Sequence, residues 1–259
     1  MTRETRNILA YVAPFATWIG LQTFLPATAW AYAARTAATL AVLLACWRPR
    51  LETGMRQPGV GRLAATGWGV AGGLLVLALW TLPEFSDLYR TWCVWPLGSL
   101  PAVSSAPSPY DPAVCGWTLT AAKLVGSACV IAPVEELFFR SFLYRWLQKR
   151  DFLSVPASRF DLSAFLWTVF LFTLEHDRPL AAALCAAIYG ILSIRFGLLS
   201  AIVAHVTTNL LLGVYVVAAN QWAFWCGKWP TRMRRWTTNR ARSCPSRFPK
   251  RASTGSTSG

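Results

Sequence analysis

Charge is what this chain of 259 residues has least of. Asp, Glu, Lys and Arg together make 14% of it, against 54% hydrophobic residues, and only 11 residues are acidic. An ordinary soluble domain carries about 25% charged residues, so this composition excludes a water-exposed surface over most of the molecule. Histidine is scarcer still, with two in the whole chain. Cysteines stand at 46, 93, 115, 129, 185, 226 and 244 without a C-x-x-C pair or zinc-like spacing, which excludes a zinc ribbon or a redox pair. Most of them read as small apolar packers; Cys93 and Cys115 share one loop and could be bridged in an oxidising compartment. There is no H-E-x-x-H, no G-x-G-D, and no G-x-S-G, since Gly126-Ser127 is followed by Ala128-Cys129. No internal repeat and no second soluble domain is visible.

What the chain does have is a succession of apolar runs of about 20 residues, the length that crosses a bilayer. An all-α, polytopic bundle of about seven to eight membrane helices is expected, with a polar cavity inside it. The runs are Asn7–Phe24 (read as an uncleaved first span), Ala29–Trp47, Ala64–Leu82, Thr118–Leu147, Leu162–Leu174, Leu180–Ile194 and Leu198–Ala219. Gly67, Gly69, Gly72 and Gly73 in the third run permit close helix approach. Arg35, near the start of the second, is placed to snorkel. Pro133 interrupts the fourth and predicts a bend just before Glu135.

The net charge of +14 belongs to the loops and the tail rather than to a nucleic-acid surface. Arg48, Arg50, Arg56 and Arg62 mark a cytoplasmic loop, and Pro83–Gly116, with Glu84, Asp87 and Asp111, an extracytoplasmic one. Residues 1–225 are therefore expected to form the membrane domain, and 226–259 a basic, disordered and functionally silent tail.

Ala132–Trp146 places two adjacent carboxylates and an arginine in an otherwise apolar helix. Such charges cost roughly 2.5 to 3.5 kcal/mol each on insertion scales. Glu136 and Arg140 stand at i and i+4 and can pair. Glu135 points about 100° away, with no partner in its own helix. His176 ends the short run after Phe172. His205 and Asn209 share one face of the last run, with Thr208 close by. Buried in hydrocarbon, Glu135, Glu136, Arg140, His176, His205 and Asn209 should turn inward and meet. That set holds a general base, imidazoles, an amide donor and an oriented ion pair, the parts needed to activate water and stabilise an oxyanion. The bland readings are a structural ion pair, packing histidines and an interhelical amide contact. Glu175 reads as solvated at the membrane edge, and Asp177-Arg178 as a helix-end turn.

Together E-E-L-F-F-R (135–140), F-T-L-E-H (172–176) and H-V-T-T-N (205–209) resemble the three motifs of the CPBP family of CAAX-protease and bacteriocin-processing endopeptidases. The likeness spans about residues 118–217, and the compact length is similar to the exosortase-associated subgroup. The resemblance implies an intramembrane endopeptidase of the bacterial inner membrane, acting on a membrane-associated peptide or protein, lipidated or not, amid membrane lipids and without nucleic acid. It further implies that Glu135 activates water with His176, and that His205 and Asn209 bind the oxyanion. Glu136 and Arg140 would orient the site. No cofactor is expected; a zinc ion held by Glu and His is the competing account. A transporter or proton relay using the same buried cluster, and a non-catalytic scaffold or immunity protein, are the alternatives from other classes.

Overall fold

The computed structural model describes residues 2–46, 55–81, 108–176 and 178–225. Among them seven long helices follow one another: α1 (Arg3–Phe24), α2 (Ala29–Cys46), α3 (Arg62–Thr81), α4 (Trp117–Gln148), α5 (Leu162–Leu174), α6 (Pro179–Phe196) and α7 (Leu198–Ala218). The fold is all-α, as the apolar periodicity requires. Local chemistry sets the boundaries. Thr2 caps α1 by accepting the Thr5 N–H, and Asp161 caps α5 by accepting the Ala164 N–H at 2.8 Å. Pro179 opens α6, where its missing N–H costs nothing. Gly197, at φ +97°, turns the chain into α7. A side chain there would meet the backbone of Arg56 at 2.5 Å.

Five of these helices, α2, α3, α4, α6 and α7, are long and apolar enough to cross a membrane. Among the described residues these are five of the seven to eight expected. Thr17, Gln22 and Thr23 dilute α1. Helix α5, with 13 residues, is about 20 Å long, short of a hydrocarbon core of about 30 Å. The basic tail and Cys93 lie outside the described residues, while Cys115 carries a free thiol.

Helix α4 is continuous through Pro133 but twice widens into a π turn, at Ser127–Ile131 and at Leu137–Leu143. The first ends immediately before Ala132-Pro133. A proline removes one donor and crowds the carbonyl four residues back, and a wider turn accommodates both. The interruption expected at Pro133 is thus a local widening within one helix, flanking the two glutamates on either side.

The most extensive helix pairing joins α3 to α7. A Cβ on Gly69 would meet the Ser200 carbonyl at 2.7 Å, and one on Gly73 the Ala204 carbonyl at 2.6 Å. Gly72 lies equally close to Leu192 of α6, whereas Gly67 faces open space. Helices meet here because small residues let their backbones approach, which is what drives association where lipid is as apolar as the protein. Arg35 does not snorkel. It is buried, with its guanidinium 4.6 Å from the Trp18 ring and 5.0 Å from the Tyr32 ring, so aromatic faces replace the interface as its partner.

Candidate active site

Glu136 is completely buried, and each of its carboxylate oxygens is engaged. Oε2 stands 3.3 Å from Arg140 Nε, the i, i+4 pair expected from the spacing. Oε1 accepts from His205 Nδ1 at 2.9 Å, across from α4 to α7. Arg140 is also buried. It donates from Nη2 to the Ala186 carbonyl of α6 at 3.3 Å and lays its guanidinium over the Phe172 ring at 4.7 Å. One ion pair thereby ties α4 to α5, α6 and α7. Because a carboxylate only accepts, Nδ1 of His205 carries the proton, and Nε2 is left as the nitrogen that meets the site.

That nitrogen faces Glu135. Glu135 Oε2 lies 3.7 Å from His205 Nε2, beyond direct hydrogen-bond range and close enough for one water beside them to bond to both. The Glu135 side chain retains 12% of its exposure, while Glu136 retains none. The two neighbours therefore differ in kind: one is consumed by structure, the other opens onto space beside an imidazole.

His176 sits at the C-terminal end of α5, where its Nδ1 donates at 2.8 Å to the Phe172 carbonyl, which also accepts the Glu175 N–H at 3.3 Å. Its ring stacks on Phe172 at 4.4 Å, and Phe172 in turn meets His205 edge-on at 6.2 Å. The motif phenylalanine is thus the spacer between the two histidines. Trp80 of α3 closes the other side of His176 at 5.8 Å. Asn209 donates from Nδ2 to the Ser127 carbonyl at 3.1 Å. The same carbonyl receives the Ala132 N–H that defines the first π turn, so Asn209 grips α4 where it widens. The second amide proton of Asn209 is not spent on this bond. The fold thus joins Glu135, Glu136, Arg140 and His205 directly, His176 through Phe172, and Asn209 through Ser127.

Several neighbours were not legible in the motifs. Tyr189 of α6, wholly buried, stacks on His205 at 4.9 Å and 29°. Its hydroxyl donates to Thr208 at 2.8 Å, and Thr208 reaches the Gly73 carbonyl of α3 at 2.9 Å. A single tyrosine in an apolar run was the available signal. Glu175 is half-buried rather than solvated. Burial pushes its carboxyl up to about 8, and the charge of Arg140 pulls against that shift. Asp177 lies outside the described residues; Arg178, beside it, is buried with its guanidinium 4.3 Å over Phe224.

A divalent ion is poorly served here. Among the described residues no three His, Cys, Asp or Glu side chains converge as a ligand set. Glu136 and the Nδ1 of His205 are spent on each other. A tetrahedral zinc site needs three firm protein ligands and an open position, and this donor set does not fit it.

No curated protein and no solved structure matches the chain. Residues 117–211, which contain all three motifs and helices α4 to α6 entire, match the family described as type II CAAX prenyl endopeptidase Rce1-like. Over this segment the chain is similar to the Rce1-like family of CAAX-type endopeptidases.

Proposed function

We propose that this integral membrane protein is an endopeptidase that hydrolyses a peptide bond of a membrane-associated peptide or protein. The observation that carries the reading is the contrast between Glu135 and Glu136: one carboxylate is used up in holding Arg140 and His205, and the other stands 3.7 Å from His205 Nε2 without a direct hydrogen bond to it. Glu135 takes a proton from water as the hydroxide attacks the carbonyl carbon, then passes it to the leaving amine, with His176 assisting. The oxyanion is received by the remaining Asn209 amide proton and by His205, which in the resting protein is protonated on Nδ1 alone and donates from Nε2 after taking up a proton from solvent. Glu136 and Arg140 keep these donors in place. No step needs a metal. Prenylated tails are the precedent of the matched family, so a lipidated substrate is the first to try.

The test is cleavage of a panel of lipidated and unlipidated peptides in nanodiscs. We expect Glu135→Gln to lower turnover by about 10³-fold, within the range for losing a general base. Asn209→Ala should cost about 10²-fold or more, as for an oxyanion donor. A strong chelator should change nothing. Loss of cleavage on chelation, restored by zinc, would return Glu135 and the histidines to metal ligation. Proton or solute flux in proteoliposomes that depends on Glu135, with no peptide cleaved, would replace the reading by a proton relay or transporter.

A further inference from the structure

Among the described residues the ring of His205 has one hydrogen-bond anchor, the Nδ1–H donated to Glu136 at 2.9 Å. A single bond fixes a point and leaves the ring plane free to swing about it. The plane is set by Tyr189, whose ring lies almost parallel to the imidazole, 4.9 Å between centroids and 29° between planes. Tyr189 cannot slide, because its hydroxyl donates to Thr208 Oγ1 at 2.8 Å. Thr208 is held in turn by two carbonyls, Gly73 at 2.9 Å on α3 and Ala204 at 3.0 Å one turn back on α7. Tyr189 and Thr208 are both buried, 0% and 3% exposed, so no solvent competes for these bonds. The chain runs through three helices, and it ends on a helix that lies outside the segment matching the protease family.

We infer that Tyr189 is a positioning residue for His205. With Thr208 and the Gly73 carbonyl it forms a second tether that aims Nε2 at Glu135, and α3 is thereby a working part of the site. The tether touches no reacting atom. Its effect is to hold one tautomer and one ring orientation, and a misplacement of about 1 Å in such a group costs up to about 10²-fold in rate.

The chain contains two histidines, so ¹⁵N-histidine NMR of the full protein in nanodiscs reads His205 with His176 as an internal reference. Wild type should show His205 held as the Nδ1-protonated form. In Tyr189→Leu, which removes ring and hydroxyl, the His205 signals should become those of a tautomer mixture while His176 stays put. Tyr189→Phe, which keeps the stacked ring but cuts its bond to Thr208, should move the pattern only part of the way towards that mixture. Thr208→Val, which cuts the same bond and spares the ring, should do likewise and provides the answer if Tyr189→Leu fails to fold. On a cleaved peptide, turnover should drop about 30-fold in Tyr189→Leu and about 5-fold in Tyr189→Phe, with KM within about twofold throughout. Unchanged His205 signals in Tyr189→Leu and Thr208→Val overturn the proposal, as does an equal shift of both histidines. The kinetic arm rests on the endopeptidase reading and the spectroscopic arm does not. Changed His205 signals in a protein that cleaves no peptide therefore uphold the tether and sink only the protease.

Discussion

Glu135 and Glu136 are adjacent in the chain, yet substitution should separate them cleanly. Removing Glu136 strands the buried Arg140 guanidinium and leaves the His205 N–H without its acceptor. Breaking a buried pair by deleting one partner costs about 3 to 5 kcal/mol, so Glu136→Ala should lower the thermal unfolding temperature sharply and take turnover with it. Glu135→Gln removes no direct hydrogen bond and should leave that temperature close to wild type while turnover collapses. Equal thermal losses in the two variants would place both carboxylates in the structural framework. Glu175 carries a pH signature of its own. Its folded-state value of about 8 lies above the ordinary 4.5, so the folded protein keeps a proton that the unfolded chain has released. This group's contribution is therefore whole below about pH 4.5 and declines as the pH rises towards 8. Unfolding temperatures measured across that window should slope downwards in wild type and flatten in Glu175→Gln, which has no proton to lose.

At the scale of elements, α3 and α4 do the positioning. The two π turns of α4 set Glu135 and Glu136 on the short α-helical stretch between them, and Asn209 and Arg140 secure the widened turns from α7 and from within. Helix α3 supplies the close face on which α7 rests. Gly73→Ala puts a methyl 2.6 Å from the Ala204 carbonyl, so the helices must part. Overpacking of this kind costs about 1 to 3 kcal/mol. Because Gly73 also accepts from Thr208, turnover should fall along with stability. Gly67→Ala, in open space on the same helix, is the control and should change neither. A Gly73→Ala protein as stable and active as wild type would mean that α3 is a passive neighbour.

For the molecule as a whole, the site draws on α3, α4, α5, α6 and α7, and α1 and α2 brace the start of α4 through Trp18 and Tyr32, which pack with Tyr110 just ahead of it. Trp225, whose ring meets Tyr110 at 6.2 Å, belongs to this brace. A chain ending at Trp225 should therefore keep both its unfolding temperature and its cleavage of the peptide panel. Loss of either on that truncation would give residues 226–259 a function that the proposed assignment denies them.

Much of this was legible in the chain because it follows from local periodicity. Runs of apolar residues at spanning length name the helices, and i, i+4 spacing alone pairs Glu136 with Arg140. The same spacing puts His205 and Asn209 on one face. The rest depends on partners far apart in sequence, which no local rule connects. Only packing showed that His205 spends its Nδ1 on Glu136, 69 residues away, and so turns Nε2 to Glu135. Only packing stacked Tyr189 on that imidazole, drew Arg35 inward against Trp18, and tied Asn209 to Ser127. The physical reason is common to all four cases. In a bundle without water each buried polar group must find a partner, the chain decides that it must be satisfied, and the crossing of helices decides by whom.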